Sequence, residues 1–126
     1  MAKRILVVDD EAPIRNLIME NLVMEGFAVL EARDGENGLE VALSEHPDLI
    51  LLDIAMPKMD GVTMLKKLRE YEEGKDIPVI MLTNIENVKL VTEALAEGSK
   101  DYIIKSDWDI KKVVELVKKR LGLTPD

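Results

Sequence analysis

Four apolar runs in this chain each end on a residue able to do chemistry. Ile5-Leu6-Val7-Val8 leads into Asp9-Asp10, and Leu49-Ile50-Leu51-Leu52 into Asp53. Val79-Ile80-Met81-Leu82 leads into Thr83, and Tyr102-Ile103-Ile104 into Lys105. Short continuous apolar runs bounded by polar residues read as fully buried strands. Stretches of helical periodicity separate them, long enough to serve as crossovers between parallel strands. A parallel sheet brings the carboxyl ends of its strands to one edge, where such folds bind ligands. The pattern therefore places three carboxylates, a hydroxyl and an ammonium along a single edge.

The helical stretches are legible one by one. The first is expected over residues 12–25, with Ile14, Leu17, Ile18 and Leu22 on one face and Gly26 closing it. A second strand follows over 27–31. Asp34 reads as the N-cap of a helix ending before Pro47, and Asp60-Gly61 opens a third with Val62, Leu65 and Leu68 inward. The third strand is expected over 48–53, and the fourth starts at Ile77-Pro78, where a proline needs no ladder donor. A fourth helix is expected over 87–97, with Val88, Val91 and Leu95 inward and Gly98 at its end. The fifth strand spans 101–105 and the last helix 107–121, with Ile110, Val113, Val114 and Val117 inward. The expected architecture is α/β: five parallel strands with five helices on both faces, forming a single domain over residues 1–126.

Composition narrows the function. The chain has 126 residues, 47% of them apolar, which suffices for one core. No apolar run approaches a membrane span, and the strand pattern begins too early to leave room for a signal peptide, so a cytoplasmic location is expected. Cysteine is absent and His46 is the only histidine, which excludes thiolate and zinc sites. The net charge of −8 argues against direct binding to nucleic acid. A basic cluster of Lys111, Lys112, Lys118, Lys119 and Arg120 reads as a solvated helix face.

Crowded carboxylates repel unless a cation sits among them, and hard oxygen donors favour Mg²⁺. Asp53 at a strand tip suits a nucleophile that forms an aspartyl-phosphate. Asp9 and Asp10 suit the metal, with Asp53 and a backbone carbonyl at Ala55 completing its shell. Lys105 supplies positive charge and Thr83 a hydroxyl for the phosphoryl oxygens.

Val7-Val8-Asp9-Asp10-Glu11, the segment from Leu52-Asp53 through Met56-Pro57 to Asp60-Gly61, Thr83, and Tyr102-Ile103-Ile104-Lys105 occur in this order. Together they resemble the receiver domain of two-component response regulators, over nearly the whole chain. The resemblance implies a flavodoxin-like strand order 2-1-3-4-5. It implies phosphoryl transfer to Asp53 from a sensor histidine kinase or phosphotransfer protein, with Mg²⁺ held directly by Asp10 and partly through water by Asp9. It also implies a Thr83–Tyr102 switch pair that remodels the surface of the fourth helix, fifth strand and fifth helix. A downstream effector protein, or an effector domain on the same chain, would read that surface, with the protein monomeric or dimerising on phosphorylation.

Some positions depart from the family pattern. Ser106 stands where the family has a proline, and is expected to cap the last helix behind a trans peptide. Asn84 replaces a small residue after Thr83, and Ala55 and Ile85 are non-acidic where phosphate lifetime is tuned. Three rivals remain. A phosphatase of the haloacid dehalogenase type needs a second aspartate two residues after its nucleophile, where this chain has Ala55. A receiver-like interaction module without phosphorylation would not need Asp10, Asp53, Thr83 and Lys105 together. An electron carrier would need aromatics to stack a flavin, and only 3% of residues are aromatic.

Overall fold

The computed structural model describes residues 2–83, 88–99, 101–104 and 109–123. Strands and helices alternate: β1 (Arg4–Val8), α1 (Ala12–Met24), β2 (Ala28–Ala32), α2 (Gly35–Glu45), β3 (Leu49–Asp53), α3 (Gly61–Arg69), β4 (Val79–Thr83), α4 (Val88–Ala96), β5 (Asp101–Ile104) and α5 (Ile110–Arg120). All the strand pairs are parallel, and the sheet order is β2-β1-β3-β4-β5. The α/β architecture and the 2-1-3-4-5 order are as expected.

The run composition of the strands explains the order of the layers. Every residue of β3 and β4 is buried, whereas β2 and β5, at the edges, are partly exposed. Successive side chains of a strand point to opposite faces, so each central strand feeds two cores. Leu6, Val8, Ile50, Leu52, Val79 and Met81 join Ala42, Met64, Leu65, Leu68, Val91 and Ala94 on the side of α2, α3 and α4. Ile5, Val7, Leu49, Leu51, Ile80 and Leu82 join Ile18, Leu22, Phe27, Val113, Val114 and Val117 on the side of α1 and α5. Full burial of one such side chain stabilises the fold by roughly 1.5–3 kcal/mol.

Caps set most helix starts. Asp34 accepts from the Asn37 amide at 2.8 Å and Asp60 from the Thr63 amide at 2.8 Å, as read from the sequence. Gly26, just past α1, has φ +94°, the left-handed conformation a helix-ending glycine adopts. At α5 the cap is Asp109, which accepts from the Lys111 amide at 2.9 Å. Asp109 is in extended backbone, so the helix starts at Ile110 and not at 107.

Helix faces differ from the expectation in two places. Leu17 and Leu95 are 43% and 44% exposed. Arg15 and Ala94 take the inward positions instead. Each displaced residue neighbours a small or hydrogen-bonded one on the helix, and the rotation of the helix about its axis decides between them. The expected Val88 side chain, and the expectations for Asn84, Ile85, Lys105 and Ser106, lie outside what is described.

At the amino-terminal edge of the sheet, Arg69 ties α3 to the end of α4. Its Nε donates to the Glu97 carbonyl at 3.1 Å and its Nη1 to the Gly74 carbonyl at 2.7 Å. Burial pushes this guanidinium below the usual arginine range, and Asp76 and Glu97 oppose that shift.

Candidate metal centre at the carboxyl edge

Asp9 follows directly on β1 and is 0% exposed. Its amide donates to the Ala32 carbonyl of β2 at 3.2 Å, continuing the β1–β2 pairing by one residue. Its Oδ1 accepts from the Glu11 amide at 2.9 Å. That local bond folds the chain back on itself and turns the strand into α1. Glu11 is the N-cap residue of α1 but makes no capping bond through its side chain, and Pro13 occupies the first turn. Asp10 and Glu11 are exposed.

Asp53 is the last residue of β3 and only 2% exposed. It sits in register with Leu82, one residue before Thr83 on β4. The following amide, Ile54, still donates to Leu82 at 2.9 Å, so the sheet holds Asp53 on both sides along the chain. Thr83 closes β4, is 1% exposed, and pairs with Ile104 on β5. Tyr102 lies two residues earlier on β5 and is 47% exposed. Ala55 is exposed in the loop between β3 and α3.

That loop is tightly folded. The Gly61 amide donates to the Ile54 carbonyl at 2.8 Å, and a Cβ at Gly61 would collide with the Asp53 carbonyl oxygen. Only glycine lets the start of α3 approach β3 so closely. Lys58 has φ +67°, and the Met59 amide donates to the Pro57 carbonyl at 2.8 Å across it. This three-residue turn holds a non-glycine residue in a strained conformation next to the site.

The four carboxylates of Asp9, Asp10, Glu11 and Asp53 each place an oxygen within 4.8 Å of the others. Asp9, Asp10 and Asp53 were expected here. Glu11 was not, although its place directly after two aspartates at a strand end was a usable signal. The donor set fits magnesium. All four candidate donors are hard oxygens, and opposite ligands of an octahedral Mg²⁺ stand about 4.2 Å apart, from bond lengths of about 2.1 Å. A cluster spanning 4.8 Å therefore needs only a small contraction, or a water in place of one carboxylate. Lys105 lies outside the described residues.

A parallel sheet of order 2-1-3-4-5, with an acidic cluster at its carboxyl edge and a hydroxyl on the next strand, defines a receiver-type signalling domain. The comparisons agree. The chain belongs to the response regulator receiver domain family, whose model matches residues 5–118. It is 38% identical to the DNA-binding dual master transcriptional regulator RpaA of Synechocystis sp. over 121 residues, which is 96% of this chain and 50% of that protein. It thus spans about half the length of that relative. It is also 38% identical over 123 residues to the chemotaxis protein CheY of Bacillus subtilis, covering 97% of this chain and 100% of that protein. Among solved structures, the receiver domain of the sensor histidine kinase PA1611 from Pseudomonas aeruginosa PAO1 superimposes with a TM-score of 0.84 at 26% identity. The match covers 97% of this chain and 99% of that one, and that structure has a magnesium ion coordinated in its active site cleft. Among the described residues, no helix is long and apolar enough to cross a membrane.

Proposed function

We propose that this chain is a phospho-accepting receiver, one domain over residues 1–126, working in the cytoplasm. The observation that carries the reading is the buried Asp53 carboxylate, held at the tip of β3 among the carboxylates of Asp9, Asp10 and Glu11. An Asp53 carboxylate oxygen attacks the phosphorus of a phosphohistidine on a sensor kinase or phosphotransfer protein. The new O–P bond forms as the N–P bond breaks, and the imidazole keeps the electron pair. Water later cleaves the aspartyl-phosphate and restores the carboxylate. The domain thereby catalyses only its own phosphorylation and dephosphorylation.

Asp9, Asp10 and Asp53, with the Ala55 carbonyl, would hold Mg²⁺, which would supply charge neutralisation for the approach of two anions. Thr83 donates its hydroxyl to a phosphoryl oxygen, and Lys105 places its ammonium against another. Thr83 moving toward the phosphoryl group opens space behind it for Tyr102 to turn inward. The exposed position of Tyr102 on β5 is the state such a switch would leave. The α4–β5–α5 surface then presents a different face to an effector protein, an effector domain or a second copy. The net charge of −8 supports protein partners over direct contact with nucleic acid.

Intact-mass measurement with acetyl phosphate and Mg²⁺ tests the reading. One added phosphoryl mass is expected in the wild type and none in Asp53→Asn. A full gain in the variant, or none in the wild type, would refute it.

A further inference from the structure

Arg15 is a cation where the helix should carry a hydrophobe. It lies on the inward stripe of α1 with Ile18 and Leu22 and is 8% exposed. A buried guanidinium is costly unless paired and hydrogen-bonded. Its pairing is with the acidic edge. Nη1 donates to the Asp9 carbonyl at 2.8 Å, a buried bond, and Nε donates to Glu31 Oε2 of β2 at 3.0 Å. The Arg15 amide also donates to the Glu11 carbonyl at 3.0 Å. The side chain thus grips the start of the segment that carries Asp9, Asp10 and Glu11, while the amide makes the ordinary helical bond to its end.

We infer that Arg15 is a positioning residue for the metal-binding turn, holding Asp9, Asp10 and Glu11 in place through the Asp9 carbonyl while Glu31 orients its fork. The inference rests on the proposed Mg²⁺ site. Two physical effects of Arg15 have opposite signs. As a nearby cation it opposes binding of a second cation. As a clamp it pre-organises the turn that carries two of the proposed ligands, Asp9 and Asp10, and loss of a residue that orients metal ligands typically costs about 10–100-fold in affinity. The second effect wins, because the bond goes to backbone at the base of the turn and is shielded from solvent, so its loss frees the whole turn. Lysine cannot substitute, since an ammonium lacks the planar fork that reaches Asp9 and Glu31 together.

Calorimetric titration with Mg²⁺, well below the melting temperature, decides the sign. Arg15→Met should weaken binding about tenfold. Arg15→Lys keeps the charge and should also weaken it. In EDTA, amide exchange at Asp9 and Glu11 should quicken in both variants, a readout that needs no metal. Affinity unchanged or raised in Arg15→Met would overturn the clamp and leave Arg15 as an opposing charge. Should Arg15→Met fail to fold, Arg15→Lys carries the test, and wild-type affinity in that variant would overturn the inference. A wild type that binds no Mg²⁺ at all would overturn both the inference and the site it rests on.

Discussion

Replacing Asp53 by asparagine should make the metal-free protein more stable. Asp9 and Asp53 are 0% and 2% exposed, with carboxylate oxygens no more than 4.8 Å apart. Two unit charges at that separation repel by about 3.5 kcal/mol at an effective dielectric near 20, and by about 0.9 kcal/mol in bulk water. The bond from the Glu11 amide to Asp9 offsets part of this. Asp10 and Glu11 add less, because they are exposed and screened. Asparagine keeps the shape and one acceptor oxygen, so Asp53→Asn should stabilise the apo protein by about 1–2 kcal/mol. For a domain of this size, that is a rise in melting temperature of roughly 3–10 °C. Mg²⁺ should reverse the order. At a hundred times its dissociation constant a ligand adds about 2.7 kcal/mol, and the variant, one ligand charge short, should gain much less. Thermal melts of both proteins in EDTA and in Mg²⁺ give the four numbers. A metal-free variant melting at or below the wild type would refute the repulsion argument. Equal shifts of both proteins by Mg²⁺ would refute the part given to Asp53 in binding it.

Two further outcomes concern the scaffold. Arg69→Met strands the carbonyls of Gly74 and Glu97 and should destabilise the fold by about 2–3 kcal/mol, seen as a lower urea midpoint with unchanged slope. Faster amide exchange at the carboxyl end of α4 should accompany it, and Arg69→Lys should restore only part. Gly61→Ala forces a methyl toward the Asp53 carbonyl and should cost about 1–3 kcal/mol. Because the backbone that must yield is that of Asp53, calorimetry should also show weaker Mg²⁺ binding in this variant.

Much of the molecule is determined by short-range pattern. A run such as Leu49-Ile50-Leu51-Leu52 has too few polar atoms to face water on either side, so it belongs in the middle of a covered sheet. A polar residue closing such a run can only sit at the strand end. Asp9, Asp53 and Thr83 were therefore placed at the edge by sequence, and the structure holds all three there, buried. The caps at Asp34 and Asp60 were equally legible, because a capping bond is made within three residues.

Rotation of the helices was decided only by tertiary structure. A strand offers two faces, and one residue of shift exchanges them completely. A helix offers a broad apolar stripe, whose edges depend on what it packs against. Leu17 reads as core and is exposed, while Arg15, two residues before it and not among the apolar residues of that face, is buried. What draws Arg15 inward is the Asp9 carbonyl and Glu31, sixteen residues away on a strand paired with β1. On α4 it is Ala94 that is buried, while Leu95, which reads as core, is exposed. Arg69 finds the carbonyl of Glu97, twenty-eight residues on. Such partners are set by which helix ends the sheet order brings together, and no local pattern encodes that meeting.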